Sequence, residues 1–191
     1  IHGDLVYGER KYIPIASISE EFSNNTITCI SATKTFNIAG LQASFAIFPD
    51  SKNYDEFERM LGILDLKRNN CFSLVAVEAA YRYGEEWLNQ LLEYLDENVK
   101  FLMEYCRENI PKVRPIKPEG TYLVWLDCKD LGLDDEDLND FMINKAKIAL
   151  DGGNWFGDDG EGYMRINIAC PREILMEGLR RIERAVKEHI E

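Results

Sequence analysis

The segment Glu85–Asn109 is the feature that most limits what this chain can fold into. Its apolar residues recur three and four positions apart, the spacing that places side chains on one face of an α-helix. Pro111 then ends the helix, because proline lacks the backbone N–H that a helix needs. We therefore predict one long helix that packs through a continuous apolar face. That face consists of Leu88, Leu91, Leu92, Leu95, Val99, Leu102, Met103 and Cys106.

Short strands and helices precede the long helix. Apolar runs at 26–30 and 43–48, each bounded by turn residues, predict two strands. Apolar residues at helical spacing predict helices over 52–64 and 72–83. Gly84 is a typical residue to end the second of these helices.

A different mixture of elements follows Pro111. We predict strands at 113–116, 121–127 and 163–169, the last with a clean apolar and polar alternation. A helix over 134–145 begins with acidic residues, which suit the positive end of a helix dipole. A final helix begins at Pro171, and the pattern as a whole indicates an α/β fold. The apolar side of this last helix carries Leu175, Leu179, Ile182, Val186 and Ile190.

The chain is strongly acidic. Its 22 Lys and Arg against 34 Asp and Glu give a formal net charge of −12 in 191 residues. Such a charge repels phosphate groups, so we expect neither nucleic acid nor a membrane as a partner. No apolar run approaches the about 20 residues that span a bilayer. The chain begins at Ile1 rather than Met, so we expect it to be processed or to be a piece of a longer protein.

The cysteines and histidines indicate neither structural disulfide bonds nor a bound metal ion. The five cysteines are odd in number and include no C-x-x-C pair. We expect buried free thiols in a reducing cytosol, and hence a cytoplasmic protein. There are two histidines, His2 and His189, and no close Cys/His spacing, so we expect no metal site.

Lys34 is a single cation at the end of a predicted strand, among hydroxyl groups and flanked by apolar sequence. In such a place we expect partial desolvation, which lowers the pKa of an amine. A free amine can condense with a carbonyl group to form a Schiff base. The hydroxyls of Ser31 and Thr33 suit a phosphate group held nearby. From the residues alone, a surface lysine in a loop between a strand and a helix remains the alternative.

Two phosphate-binding motifs are excluded by their glycines. The Lys-Thr pair at 34–35 matches the end of a P-loop, but residues 28–31 lack the Gly-rich turn. The glycines within 157–162 stand in the wrong order for a dinucleotide fingerprint, and the acidic residues beside them would repel a pyrophosphate. Their spacing does not match an EF-hand either. We expect residues 157–162 to form a flexible, solvated loop.

Residues 31–42, S-A-T-K-T-F-N-I-A-G-L-Q, resemble the Schiff-base lysine segment of class I/II aminotransferases and their relatives. These are fold-type I enzymes that depend on pyridoxal 5′-phosphate (PLP). The resemblance is greatest to the MalY/PatB-type carbon–sulfur lyases, which include cystathionine β-lyases and share the run S-K-T-F-N-I-A-G-L-Q. Residues 1–7 resemble the D-E-I-H-x-D-L-V run of that group, and residues 119–127 resemble its E-G-T-Y-L-x-W-L-D strand. Residues 156–171 resemble its ending, F-G…G-x-G-x-x-R-x-N-x-A-C-P, so the resemblance covers the whole chain.

The resemblance implies an α/β fold that is the C-terminal part of a fold-type I PLP-dependent transferase. Residues 1–84 would form the C-terminal part of the PLP-binding large domain, with a remnant of its sheet. Residues 85–191 would form an α+β small domain. The missing N-terminal half of the same enzyme would supply most phosphate contacts and the aspartate that pairs with the pyridine nitrogen. Such enzymes are usually homodimers with the site at the interface.

The resemblance also assigns roles to particular residues. Lys34 matches the lysine that holds PLP and moves protons, and Ser31 matches a hydroxyl that contacts the phosphate. His2 takes the place of a tyrosine near the 3′-oxygen of the cofactor, with a half-buried structural histidine as the alternative. Arg165 matches the arginine that binds the substrate α-carboxylate, with a salt bridge at an edge strand as the alternative. Gln42 stands where many aminotransferases have a phosphate-binding arginine.

The function that the resemblance favours is a PLP-dependent carbon–sulfur β-lyase acting on a small-molecule amino acid of the cystathionine or cysteine type. A PLP-dependent class I/II aminotransferase is the alternative, because both chemistries use the same lysine and arginine. A less favoured alternative is a non-catalytic binding or assembly module. Without its N-terminal half, we expect the chain alone to be inactive.

Overall fold

The computed structural model describes residues 1–190 and forms two compact units. The first spans Ile1–Leu91, and the second continues from Leu92. The division falls inside the long helix Glu85–Asn109, which has the ends that the sequence pattern predicts. The predicted domain boundary at residue 84 coincides with the start of this helix and stays a prediction.

The first unit contains a small two-stranded sheet. Strand β1 (Thr28–Ile30) pairs with strand β2 (Phe45–Ile47) in antiparallel register. Both strands are shorter than predicted. At β1 the cause is an unpredicted short helix, α1 (Glu20–Asn24), to which Thr26 is still bound. The Thr26 hydroxyl donates to the carbonyl of Phe22 at 2.6 Å, so the extended backbone begins two residues later.

Three further helices lie where the apolar spacing predicts them. They are α2 (Ser51–Ile63), α3 (Cys71–Tyr83) and α4 (Glu85–Asn109). The carboxylate of Asp50 accepts the N–H of the third residue of α2 at 2.8 Å, which satisfies a donor that has no partner inside the helix. Gly84 ends α3 as predicted, and its N–H donates to the last turn of that helix at 2.8 Å.

The second unit is built on a four-stranded antiparallel sheet. Its strands are β3 (Arg114–Pro115), β4 (Leu123–Asp127), β5 (Asp151–Gly152) and β6 (Tyr163–Asn167). Their spatial order is β3-β4-β6-β5, so the two longest strands are neighbours at the centre. One face of this pair is the core, and each side chain on it is at most 4% exposed. These side chains are Val124, Leu126, Met164 and Ile166.

The helix predicted over 134–145 consists of two different pieces. An α-helix, α5 (Asp135–Asp140), is followed by a π-helical turn (Phe141–Lys145). The prediction of a helix over these residues is confirmed, but the sequence pattern does not reveal the change from α-helical to π-helical geometry. The wider turn coincides with the burial of two large adjacent side chains, Phe141 and Met142, which a regular α-helix directs about 100° apart.

The last helix, α6 (Arg172–Ile190), covers the second unit with one apolar face. Leu175, Leu179 and Ile182 are each at most 3% exposed, as the spacing predicts. Ile190 is an exception, because it is the final residue of the helix and lies more than half exposed. Within residues 1–190, no helix is long and apolar enough to cross a membrane.

The thiols are free, but they are not all buried. Cys106 and Cys128 lie in the core of the second unit, and burial raises the pKa of each to about 12. Cys29 and Cys71 are exposed, so the expectation of burial is wrong for both. Cys29 is the exposed middle residue of β1, and Cys71 is the first residue of its helix.

Asn98 is a fully buried polar residue on the apolar face of α4. Its amide nitrogen donates to the carbonyls of Ile168 at 2.9 Å and Cys170 at 3.2 Å. Its amide oxygen accepts from Nε of Arg172 at 2.6 Å. The two carbonyls belong to the connection between β6 and α6, and Arg172 is the first residue of α6. A single side chain therefore fixes the chain that leaves the strand carrying Arg165.

We predict that Asn98→Leu lowers the free energy of unfolding by about 2–4 kcal/mol, because one buried carbonyl, one partly buried carbonyl and one guanidinium donor lose their partner. Denaturant unfolding followed by circular dichroism measures this loss. Asn89→Leu is the matched control, since Asn89 is exposed on the same helix. Equal effects of the two substitutions would contradict the role assigned to Asn98.

Burial is distributed unevenly between the two units. Of the 26 buried apolar residues among residues 1–190, four lie in the first unit: Leu5, Tyr7, Ala32 and Val77. Large apolar side chains of that unit are exposed instead, including Phe72 at 72% and Val75 at 70% on α3. Exposed apolar surface costs about 25 cal/mol per Å². The first unit is therefore stabilised by any apolar surface that covers it.

We expect residues 1–191, produced alone, to self-associate. Light scattering after gel filtration should give a mass above that of the 22.0 kDa monomer. Replacing the exposed Phe72 and Val75 together by serine removes apolar surface without touching a buried side chain, and should shift the protein toward monomer. A wild-type chain that stays monomeric at every concentration would overturn this expectation.

Candidate active site

Lys34 lies in a tight turn directly after β1. The backbone N–H of Ile38 donates to the carbonyl of Thr33 at 3.0 Å, across the residues between them. Asn37 has a φ of 54°, a left-handed conformation that asparagine tolerates better than most residues. This combination is typical of a helix C-terminus. A single closed turn therefore carries Lys34 and fixes its backbone.

The hydroxyl groups in this turn are already hydrogen-bonded. The Oγ of Ser31 contacts the carbonyl of Ala43 and lies 2.8 Å from Oγ1 of Thr33. A carbonyl can only accept, so Ser31 donates its one proton to Ala43, and Thr33 donates to Ser31. A phosphate oxygen is also an acceptor. Contact between Ser31 and a phosphate therefore requires its hydroxyl to rotate away from Ala43.

The Lys34 side chain is exposed, although its neighbours in the turn are buried. Ala32, Thr33 and Thr35 are between 0% and 8% exposed. The expected partial desolvation of Lys34 is therefore wrong for this structure, because the turn directs these neighbours inward and leaves Lys34 on the solvent side. Within residues 1–190 its amine has no ion-pair or hydrogen-bond partner, so it is available to a ligand.

An aromatic cluster holds the far end of the lysine turn. The ring of Phe36 lies 6.0 Å from that of Tyr81 and 5.8 Å from that of Trp87, measured between centroids. Gly84 lies between these two aromatic residues in the sequence, and a Cβ there would collide with the Phe36 ring. The glycine between α3 and α4 thus allows Phe36 to pack at this junction.

The N-terminal segment lies against the same turn. The hydroxyl of Thr35 donates to Oδ2 of Asp4 at 2.8 Å. The N–H of Leu5 donates to the carbonyl of His2 at 2.9 Å, and the Leu5 side chain is 1% exposed. His2 is half-buried, as its structural alternative supposes, and it lies two residues from the contact with Thr35. Its predicted place near a cofactor stays a prediction.

Arg165 lies on β6 in the second unit and already has a carboxylate partner. Its Nε and Nη2 both donate to Oδ2 of Asp151, at 3.1 and 2.6 Å. The guanidinium also lies over the ring of Phe156, 4.3 Å from its centroid, and Trp125 meets that ring edge-on at 5.3 Å. A salt bridge is thus present, as the alternative interpretation supposes, but it joins Arg165 on the central strand β6 to Asp151 on the edge strand β5. Binding of a substrate carboxylate stays a prediction.

The structure places four of the sequence-predicted residues in the first unit: His2, Ser31, Lys34 and Gln42. Ser31 and Lys34 share one turn, and Gln42 is exposed with a φ of 54°. Sequence reasoning missed the side chain of Asp4, although it stands inside a segment that carries the family resemblance. It also missed Asn98, for which the available signal was a polar residue on an otherwise apolar helix face.

The acidic loop 157–162 is largely exposed, as expected of a solvated loop, and it contains a defined turn. Two 3₁₀ turns, Gly153–Phe156 and Asp158–Gly160, place the backbones of Gly153 and Gly160 in contact. The loop borders an open cavity of about 750 Å³ whose rim carries six acidic side chains. Within residues 1–190, no three His, Cys, Asp or Glu side chains are grouped to hold a metal ion.

Curated relatives match nearly the whole chain. It is 41% identical over 186 residues to cystathionine beta-lyase PatB of Bacillus subtilis (strain 168), covering 97% of this chain and 48% of that protein. It is 31% identical over 188 residues to protein MalY of Escherichia coli (strain K12), covering 98% and 47%. The chain thus spans about half the length of these relatives. No family model matches it.

Solved structures agree in fold. A PLP-bound protein of Clostridium difficile 630, assigned as an aminotransferase, is 54% identical with a TM-score of 0.95, covering 97% of this chain and 48% of that one. Cystalysin from Treponema denticola, which contains PLP, is 34% identical with a TM-score of 0.90, covering 98% and 48%.

These matches define the class of fold: the chain has the α/β fold of the C-terminal part of PLP-dependent fold-type I enzymes. Within that class it is a homologue of the MalY/PatB-type cystathionine β-lyases, and proteins named as aminotransferases are also among its relatives. The resemblance inferred from the lysine segment and the three further motifs is confirmed.

Proposed function

We propose that the protein carrying this sequence is a PLP-dependent carbon–sulfur β-lyase acting on amino acids of the cystathionine or cysteine type. The observation that carries the proposal is Lys34, whose exposed amine has no partner among the described residues 1–190 and stands on a closed turn with buried neighbouring side chains. The relative named cystathionine beta-lyase PatB, and a PLP-bound C-S lyase of Staphylococcus hominis that is 33% identical, support this choice of chemistry.

The lysine turn offers PLP an amine and a hydroxyl group, and the N-terminal segment offers His2. The amine of Lys34 would hold the cofactor covalently through its aldehyde carbon. The hydroxyl of Ser31 would donate to the phosphate after rotating from Ala43, and His2 would lie near the 3′-oxygen. Gln42 supplies no charge for the phosphate. Most of that charge would be neutralised by residues outside this chain, in the N-terminal half of the same enzyme.

The division of labour among the residues follows from their chemistry. Bound PLP supplies an electron sink for the negative charge that develops at the substrate Cα. Lys34, once its amine is released, is the base that takes the proton from that carbon. Arg165 orients the substrate, because its planar guanidinium matches a carboxylate. Loss of a thiolate from Cβ would then distinguish a lyase from an aminotransferase.

An aminotransferase is the second candidate function. The related protein of Clostridium difficile 630 that is assigned as an aminotransferase supports it, as does the more distant aspartate aminotransferase of Pyrococcus horikoshii. Both chemistries use Lys34 and Arg165 in the same way. A non-catalytic binding or assembly module is the least favoured alternative. We further propose a cytoplasmic homodimer with the site at its interface.

The first expected outcome concerns the cofactor linkage. Borohydride reduction of the protein as encoded, followed by peptide mapping, should find the pyridoxyl group on Lys34. Lys34→Ala should abolish the label, whereas Lys11→Ala, a nearby exposed control, should leave it in place. Label on a different lysine, or none, would remove Lys34 from its role.

The second expected outcome separates the two chemistries. Given cystathionine, the protein as encoded should release pyruvate, ammonia and a free thiol without an added keto acid. Lys34→Ala is the inactive control, because the base at the substrate Cα is lost, and we expect a fall in rate of at least about 100-fold. Turnover that depends on a keto-acid acceptor would favour the aminotransferase.

A further inference from the structure

One hydrogen bond joins the two segments that carry His2 and Lys34. Thr35 is 1% exposed, and its hydroxyl donates to Oδ2 of Asp4 at 2.8 Å. The two residues are 31 positions apart in the sequence, so the bond is tertiary. Thr35 directly follows Lys34, and Asp4 is two residues from His2. We call this contact the Asp4–Thr35 bond.

Asp4 and Thr35 each lie in or beside a turn that is closed by a backbone hydrogen bond. On one side the turn is closed by the N–H of Phe36, which donates to the carbonyl of Ala32 at 2.9 Å. On the other, the N–H of Leu5 closes a turn onto His2, and the Leu5 side chain is 1% exposed. The bond therefore connects two rigid pieces rather than two mobile loops.

A third element borders the same carboxylate. Burial, and after it the negative charge of Asp4, raise the pKa of Tyr81 on α3. The ring of Tyr81 meets that of Phe36, which belongs to the lysine turn. Asp4 thus lies at a junction of the N-terminal segment, the lysine turn and α3.

We propose that Asp4 and Thr35 are positioning residues that set the direction in which the Lys34 amine is presented to its carbonyl partner. The inference rests on the proposed function of Lys34. Among residues 1–190 the Lys34 amine has no hydrogen bond or ion pair that would direct it, so its orientation depends on the backbone of the turn. The Asp4–Thr35 bond fixes that backbone one residue away.

The Asp4–Thr35 bond contributes little to the stability of the hydrophobic core. Asp4 is exposed and stays solvated when its partner is removed, so no charge is left stranded in an apolar environment. Valine has the shape of threonine and fits a buried position without a polar group to satisfy. Thr35→Val therefore removes the bond while the turn keeps its packing. This makes an effect on direction separable from an effect on stability.

The experiment uses the protein as encoded, freed of cofactor and then mixed with PLP. The rate at which Lys34 becomes labelled after borohydride trapping is measured for Thr35→Val, Thr35→Ser, Asp4→Ala and the double variant that combines Thr35→Val with Asp4→Ala. Acetylation of Lys34 relative to Lys11 and Lys52, and the melting temperature, are measured on the same variants before PLP is added. These two readouts report accessibility and folding without any cofactor.

We expect Thr35→Val and Asp4→Ala to slow capture of PLP by Lys34 about tenfold, because a misdirected amine meets the carbonyl less often. The double variant should be no slower than either single one, since both remove the same bond. Thr35→Ser restores the hydroxyl and should recover the wild-type rate. Acetylation and melting temperature should match the wild type throughout.

Capture rates that match the wild type in Thr35→Val and Asp4→Ala would overturn the inference. So would slowing that is accompanied by equal changes in acetylation or melting, because that pattern indicates a loosened fold. Failure of the wild-type protein to capture PLP on Lys34 is a different result. It would overturn the proposed function itself, and with it the role assigned to the Asp4–Thr35 bond.

Discussion

The geometry of the C-terminal unit depends on one buried side-chain amide. Directly after β6 the N–H of Ile168 still donates to the carbonyl of Tyr122 at 2.9 Å, whereas the carbonyl of Ile168, inside the core, takes its donor from a side chain. Buried carbonyls without donors are costly. Asn98 supplies the donors from α4 and accepts from Arg172 in return. An apolar helix face is therefore interrupted at the point where the sheet ends.

In the lysine turn the polar backbone is satisfied locally, and the amine of Lys34 is the group left without a partner among residues 1–190. The backbone and hydroxyl groups of this turn are bonded inside the protein, while its cation is exposed. The left-handed Asn37 closes the turn, and Gly84 leaves room for the Phe36 ring that holds it. Rigid backbone around a free side chain is what a group that must meet a ligand requires. The proposed role of Lys34 agrees with this division.

The sequence predicts the parts of the fold that depend on local periodicity. The helix Glu85–Asn109 has the predicted ends, because a glycine and a proline mark them. The exposure of Cys29 could not be predicted in this way, since burial depends on a covering layer that periodicity does not reveal. For the site, the motif around Lys34 identifies the family, but not the contact between Asp4 and Thr35. That contact joins residues far apart in the sequence, and no local pattern records it.

The guanidinium of Arg165 is already paired with a carboxylate, so a second carboxylate would have to compete with Asp151 for it. Asp151 occupies one edge of the guanidinium through a single oxygen. A second carboxylate would therefore enter by exchange of one anion for another, and the local net charge would change little if the displaced Asp151, which is 41% exposed, returned to water. Selection among carboxylate ligands at Arg165 would then rest on the two parallel hydrogen bonds of a bidentate pair and on the Phe156 ring face, and only weakly on charge.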